Sequence, residues 1–122
     1  LARLLSPENQ QDFNEEDIIN QVADEEGLTG ESRKLLGAIR KVEQGRQGRE
    51  FGVLNSEAMR FEKGDSKQSF ITQARWAAGT IKKRFTGDLK EFEDRWAQIR
   101  VKNAPKNLNS NWLKNIKSFM NK

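Results

Sequence analysis

Hydrophobic residues along this chain recur at intervals of three and four, the spacing of a single helix face, in five separate stretches. The first opens at Asn14, a favoured N-cap residue, with Asp17 in its first turn and Phe13 placed to staple onto Ile18. Ile18, Ile19, Val22 and Ala23 form its buried stripe, and Gly27 ends it. A second stretch runs from about Gly30 or Glu31 to Gln44, with Leu35, Leu36, Ile39 and Val42 aligned and Gly45 expected to stop it. A third, from about Lys67 to Phe85, aligns Phe70, Ala74, Ala78, Ile81 and Phe85, and Gly79 inside it invites close approach by another helix. Asp88 caps a fourth helix, with Glu91 as the partner in a capping-box arrangement and a stripe of Leu89, Phe92, Trp96 and Ile99. The last helix is expected to begin near Ser110, after a loop containing Pro105, and to bury Trp112, Ile116 and Phe119 or Met120.

Between the second and third helices the period disappears. Residues 45–66 hold Gly45, Gly48, Gly52 and Gly64 among charges and scattered Phe51, Val53, Leu54, Met59 and Phe61. A connection of this length inside a domain is uncommon and often functional. It reads as short strands or an irregular loop, with Phe51, Val53 and Leu54 anchoring it to the core. The expected fold is therefore mainly α: a small orthogonal bundle of about five helices, with a long irregular loop or short β-hairpin after the second. Residues 1–12 read as a lead-in and 13–122 as one domain, in keeping with a length of 122 residues.

Composition narrows the chemistry. The chain has no Cys and no His, which removes thiol nucleophiles, imidazole bases and Cys/His zinc sites. No metal or cofactor is expected, and any catalysis falls to carboxylates. No apolar run reaches the ~18–20 residues of a membrane span. The polar run Glu8-Asn9-Gln10-Gln11-Asp12 after the first residues is unlike a signal peptide. A net charge of +4 favours an anionic partner: nucleic acid, acidic lipid or the acidic bacterial wall.

Glu43 is the most informative of the carboxylates. It follows Leu36 by two helical turns, so it lies on the apolar side of its helix. It also sits in the last turn, where the helix macrodipole opposes negative charge. Partial burial and that dipole both favour a protonated carboxyl, which is what a glycosidase needs beside a leaving oxygen. The plain alternative is a surface ion-pair cluster with Arg40, Lys41 and Arg46. For a second carboxylate the loop offers Glu50, Glu57, Glu62 and Asp65, with Glu50 first, against the alternative of solvated charges. Trp76 lies just off the apolar stripe of its helix, where it stacks on a sugar or packs inward. Core packing is the expectation for it, as for Trp96 and Trp112.

Several segments carry a resemblance. Leu35-Leu36-Gly37-Ala38-Ile39-Arg40-Lys41-Val42-Glu43-Gln44-Gly45 resembles the leucine-rich helix and Ala-Ile-x-x-x-Glu-Ser-Gly signature of goose-type lysozymes and soluble lytic transglycosylases, in the lysozyme-like superfamily. Gly52-Val53-Leu54-Asn55 is similar to that family's Gly-Leu-Met-Gln segment, and Ala77-Ala78-Gly79-Thr80-Ile81 through Gly87-Asp88-Leu89 to its Ala-Gly-x-x-Tyr-Leu helix and Gly-Asp-Leu connection. Arg95-Trp96-Ala97 stands where the family has Tyr-Asn-Ala-Gly; with Asn103 and Asn111-Trp112 it also resembles virion-type muramidases. The resemblance spans roughly residues 28–116 in order. It implies cleavage of the β-1,4 bond between N-acetylmuramic acid and N-acetylglucosamine in peptidoglycan, at the bacterial cell wall, by a domain of a larger phage virion or tail protein. It implies Glu43 as catalytic acid/base, and it adds Asn55, Arg95 and Trp96 to Glu50 and Trp76 as candidates for substrate contact. Gln44 departs from the family's Ser, Asn55 from its Gln, and the chain has no Tyr.

Two other classes compete. A pI near 9.5, the cluster Lys82-Lys83-Arg84 and the basic Lys114, Lys117 and Lys122 suggest nucleic-acid binding. The positives are spread over several elements without helix-turn-helix spacing, so no specific nucleic-acid partner is expected. The other is a catalytically silent structural module, for example a part of a virion or secretion machine.

Overall fold

The structure, a computed structural model, describes residues 13–100 and 106–121, with side chains for 13–96 and 111–121. The lead-in over 1–12 lies outside the described residues, as do Pro105 and the side chain of Ile99. There are five helices: α1 (Glu15–Glu26), α2 (Gly30–Glu43), α3 (Ser66–Arg84), α4 (Leu89–Arg100) and α5 (Lys106–Met120). Among the described residues there is no strand. Residues 44–65 instead form a succession of turns, closed by hydrogen bonds such as Arg49 N to Arg46 O (2.8 Å) and Glu62 N to Met59 O (2.9 Å).

Local sequence sets most helix ends. Asn14 Oδ1 accepts from Asp17 N (3.1 Å) at the start of α1, and Gly27 closes it in the left-handed conformation. Asp65 caps α3 through Gln68 N (3.0 Å), and Asp88 caps α4 through the N–H groups of Lys90 and Glu91 (3.0 and 3.2 Å). Two ends differ from expectation. α2 stops not on Gly45 but one residue earlier, with Gln44 itself left-handed (φ 43°, ψ 39°). α5 begins at Lys106 rather than Ser110.

The stripes assemble into one core. α3 packs against α1, α2 and α4, and α5 against α2 and α4. Leu35, Leu36 and Ile39 of α2 meet Phe70, Ala74, Ala78 and Ile81 of α3, with Phe92 and Ile116 from the last two helices, all fully buried. Each such large side chain stabilises the fold by ~1.5–3 kcal/mol relative to exposure. Phe13 packs on Phe70 (5.6 Å between centroids), and Phe51 from the turn segment packs on the same ring at 5.2 Å. Phe51 and Val53 therefore anchor the segment as expected. Leu54 does not: it is exposed, the outward neighbour of an inward Val53. Gly79 also departs from expectation, since an added Cβ there would meet nothing within 4 Å, so no helix crosses closely at that point.

Arg40 ties the segment to the helices. Its guanidinium makes a two-point pair with Glu15 of α1 (2.8 and 3.0 Å), donates to the carbonyls of Gly45 and Glu50 (2.9 and 3.0 Å), and lies over the Phe70 ring. The surface cluster imagined around Glu43 thus loses Arg40, which is committed to Glu15.

Candidate active site around Glu43

Glu43 is the last residue of α2, and the left-handed turn at Gln44 sends the chain back across it. Such a conformation costs a non-glycine residue roughly 1–2 kcal/mol. Gln44 N still donates to Arg40 O (2.9 Å), so the turn closes the helix while placing the chain on a new course. That course brings Gly52 onto the carboxylate. At Gly52 φ is +75°, and an added Cβ would stand 2.6 Å from both the carboxyl carbon and Oε1 of Glu43. A glycine leaves the carboxyl where it is; any larger residue there would strain the backbone and push the Glu43 side chain aside. From the other side, Trp112 of α5 donates its indole N–H to Oε2 of Glu43 at 2.9 Å.

Trp112 is itself held. Its ring stacks on Trp96 (6.1 Å, 20° between planes) and packs against Phe92, which meets Phe85 edge-on. The half-buried Glu43 carboxyl therefore lies between a fixed indole and a backbone wall, where α2, α5 and the turn segment meet. Glu50 and Trp96 sit deeper. Glu50 is buried; its Oε1 accepts from Gly48 N (3.0 Å), and Ser69 of α3 bonds both that amide (2.9 Å) and the carboxyl. Burial pushes the Glu50 carboxyl above the usual carboxylate range, against the hydrogen bonds from its own and the Gly48 backbone and from Ser69, and against the Arg40 charge. A carboxyl so enclosed braces the loop and presents no face to a bulky sugar. Trp96 is likewise buried, and it bears on Glu43 through Trp112.

The remaining candidates lie at the surface. Asn55 Oδ1 accepts from Ala58 N (2.8 Å), closing the turn after Leu54, so any hydrogen bond to an N-acetyl group falls to its amide nitrogen. Arg95 is exposed on α4 beside the buried Trp96. Trp76, expected in the core, is instead 41% exposed on α3. The Phe70, Ala74, Ala77, Ala78 and Ile81 face is already filled, and the indole sits outside it. Among the described residues, no three His, Cys, Asp or Glu side chains converge as a metal site would require.

Sequence reasoning passed over Gln73. Fully buried on α3, it accepts from the N–H groups of Phe51 and Val53 (3.0 and 3.2 Å) and donates to the carbonyls of Gly48, Val53 and Ala58 (3.0, 2.8 and 3.2 Å). One amide thus satisfies much of the backbone that holds Gly52 against Glu43. Its signal was available: Gln73 lies three residues after Phe70, on the buried face, and a buried amide needs several partners. A separate groove of about 560 Å³ runs between α1, α2 and the end of α5, floored by Ile19, Ala38, Phe119 and Met120; Glu43 is not among its walls.

No family model, curated protein or solved structure matches this chain.

Proposed function

We propose that this chain cleaves the β-1,4 glycosidic bond between N-acetylmuramic acid and N-acetylglucosamine in peptidoglycan, with Glu43 as general acid/base. The observation that carries the reading is the seating of Glu43: a helix-terminal carboxyl held by the Trp112 indole and backed by a glycine whose left-handed backbone lies close against it. A surface ion pair needs neither feature. A group that must give a proton to one defined oxygen needs both.

Glu43 gives its proton to the bridging oxygen as the bond to the muramic anomeric carbon breaks. With Glu50 enclosed by Gly48 and Ser69, the reading uses one protein carboxyl, as the lytic-transglycosylase resemblance implies. The substrate's own acetamido oxygen stabilises the anomeric carbon. Glu43, now a carboxylate, takes a proton from the muramic 6-hydroxyl, whose oxygen closes an anhydro ring and restores the acid. Water in place of that hydroxyl gives the hydrolytic, muramidase outcome.

Incubation with purified peptidoglycan, followed by mass analysis of the released fragments, tests the reading. Anhydro-ended or reducing muropeptides are expected from the native protein. Glu43→Gln is expected to fold and to lose ~10²–10⁴-fold of the rate, because an amide cannot donate the proton. Equal release by both proteins would overturn the assignment.

A further inference from the structure

Leu54 and Trp76 are the large apolar side chains left outside the described fold, 42% and 41% exposed. They flank one joint. Gln73 holds both the N–H and the carbonyl of Val53 (3.2 and 2.8 Å); Leu54 is the next residue of the loop. Trp76 lies three residues beyond Gln73, on the same side of α3 to within about 60°. On the other side of Val53, Gly52 rests on the Glu43 carboxyl. Val53 thus joins the Gly52 wall at Glu43 to Leu54 along the loop, and through Gln73 it is tied to the helix that carries Trp76.

Trp76 stands as a ridge between two hollows. One, of about 190 Å³, is lined by Glu57, Arg60, Gln68, Thr72 and Arg75. The other, of about 210 Å³, is lined by Arg75, Gly79, Thr80 and Lys83. Arg60 and Arg75 are paired with Glu57 and Glu25 (3.8 and 3.4 Å), whereas Lys83 forms no ion pair among the described residues. Gly79 contributes to the width of the second hollow, since nothing stands within 4 Å of where its Cβ would be.

We propose that this seam is a glycan-binding strip, with Trp76 as the stacking platform of a subsite remote from the scissile bond. It rests on the reading of Glu43 as a peptidoglycan-cleaving acid. A pyranose ring presents a flat C–H face, which an exposed, pre-ordered indole covers at little entropic cost. Leu54 supports the stretch of glycan between Trp76 and Glu43, and Lys83 meets a carboxylate of the muramic substituent. The chemistry fits a β-1,4-linked N-acetylated amino sugar strand better than a nucleic acid. A phosphate backbone calls for a track of unpaired cations, and here the arginines are paired and Glu57 lines one hollow.

The test uses the full chain carrying Glu43→Gln, so that bound glycan is not cleaved. Retention on sedimented peptidoglycan, and calorimetric titration with N-acetylglucosamine tetrasaccharide, are compared with and without Trp76→Ala. The expected result is about tenfold weaker binding on loss of the stacking contact, with an unchanged thermal midpoint. Leu54→Ala is expected to weaken binding less. With Glu43 intact, Trp76→Ala should raise KM for long glycans and leave kcat alone. Undiminished binding by Trp76→Ala would overturn the strip, as would Trp76-dependent binding of single-stranded DNA in place of the glycan. Absence of cleavage by the native protein would instead remove the catalytic reading, so the two failures are distinguishable.

Discussion

The indole N–H of Trp112 reaches Oε2 of Glu43 at 2.9 Å, across 69 residues of sequence. It joins the last turn of α2 to the middle of α5. Because Trp112 is wedged against Trp96 and Phe92, its donor cannot follow a moving carboxyl, and the carboxyl is held instead. A donor fixed by packing is the general device by which an acid is kept in one rotamer. Trp112→Phe keeps most of the ring and removes the donor. We predict that cleavage falls about tenfold or more while stability falls by only ~1 kcal/mol, the usual net worth of a hydrogen bond. Dye release from labelled peptidoglycan and a thermal melt measure the two. A loss of stability without loss of rate would make Trp112 a core residue only.

Gly52 gives a sharper test, because two separate penalties meet there. Alanine at φ +75° is strained by roughly 1–2 kcal/mol, and its Cβ also collides with the Glu43 carboxyl 2.6 Å away. Gly52→Ala should therefore displace Glu43 and abolish cleavage. In a Glu43→Ala background the collision vanishes and only the backbone strain remains, so the destabilisation by Gly52→Ala should shrink. Denaturant melts of the four proteins close the cycle. An equal cost in both backgrounds would mean that the glycine serves the turn alone.

The helical stripes were readable because burial and period are linked: Leu35, Leu36 and Ile39, or Phe70, Ala74 and Ile81, must share a face in any helix. Caps at Asn14, Asp65 and Asp88 are local, and local chemistry is written in neighbouring residues. What periodicity cannot supply is the partner of a face. It placed Glu43 on the inner side of α2 but could not say that Trp112 and Gly52 would enclose it, since both contacts are long-range or depend on a left-handed turn at Gln44. The aperiodic segment hid most. Val53 points inward and Leu54 outward there through backbone bonds to Gln73, a relation with no sequence period.

Gln73 itself should prove more important to the loop than its polarity suggests. Gln73→Met conserves the length of the side chain and withdraws its hydrogen bonds to Gly48, Phe51, Val53 and Ala58. Each buried backbone group left without a partner costs ~1–3 kcal/mol, less where water enters. A fall of ~10 °C or more in thermal midpoint is expected, with new protease cuts confined to residues 45–65. Retention of the native midpoint and of protease resistance would show that the loop is held by Phe51 and Arg40 without it.

The last prediction concerns Glu93, a carboxyl that no proposed chemistry uses. It is buried on α4; its Oε1 faces Lys90 at 3.6 Å, and its Oε2 has no hydrogen-bond partner among the described residues. Burial pushes this carboxyl above the usual range; Lys90 and Lys117 pull it down and Asp94 adds to the rise. The native state therefore holds the Glu93 proton more tightly than the unfolded chain does. Between the ordinary carboxylate value and the raised one, the native state binds more protons, so stability falls as pH rises. The favourable contribution is complete below the ordinary value and is lost once pH passes the raised one. Glu93→Gln has no proton to lose. Its loss of the Lys90 pair is minor, since that lysine is mostly exposed. Relative to the native protein, the variant's thermal midpoint should be nearly unchanged at about pH 4 and clearly higher at about pH 8. Melts of both proteins at the two pH values decide it: an equal offset at both, or a lower midpoint for the variant at the higher pH, would show that the buried carboxylate is not the strained group the fold makes it.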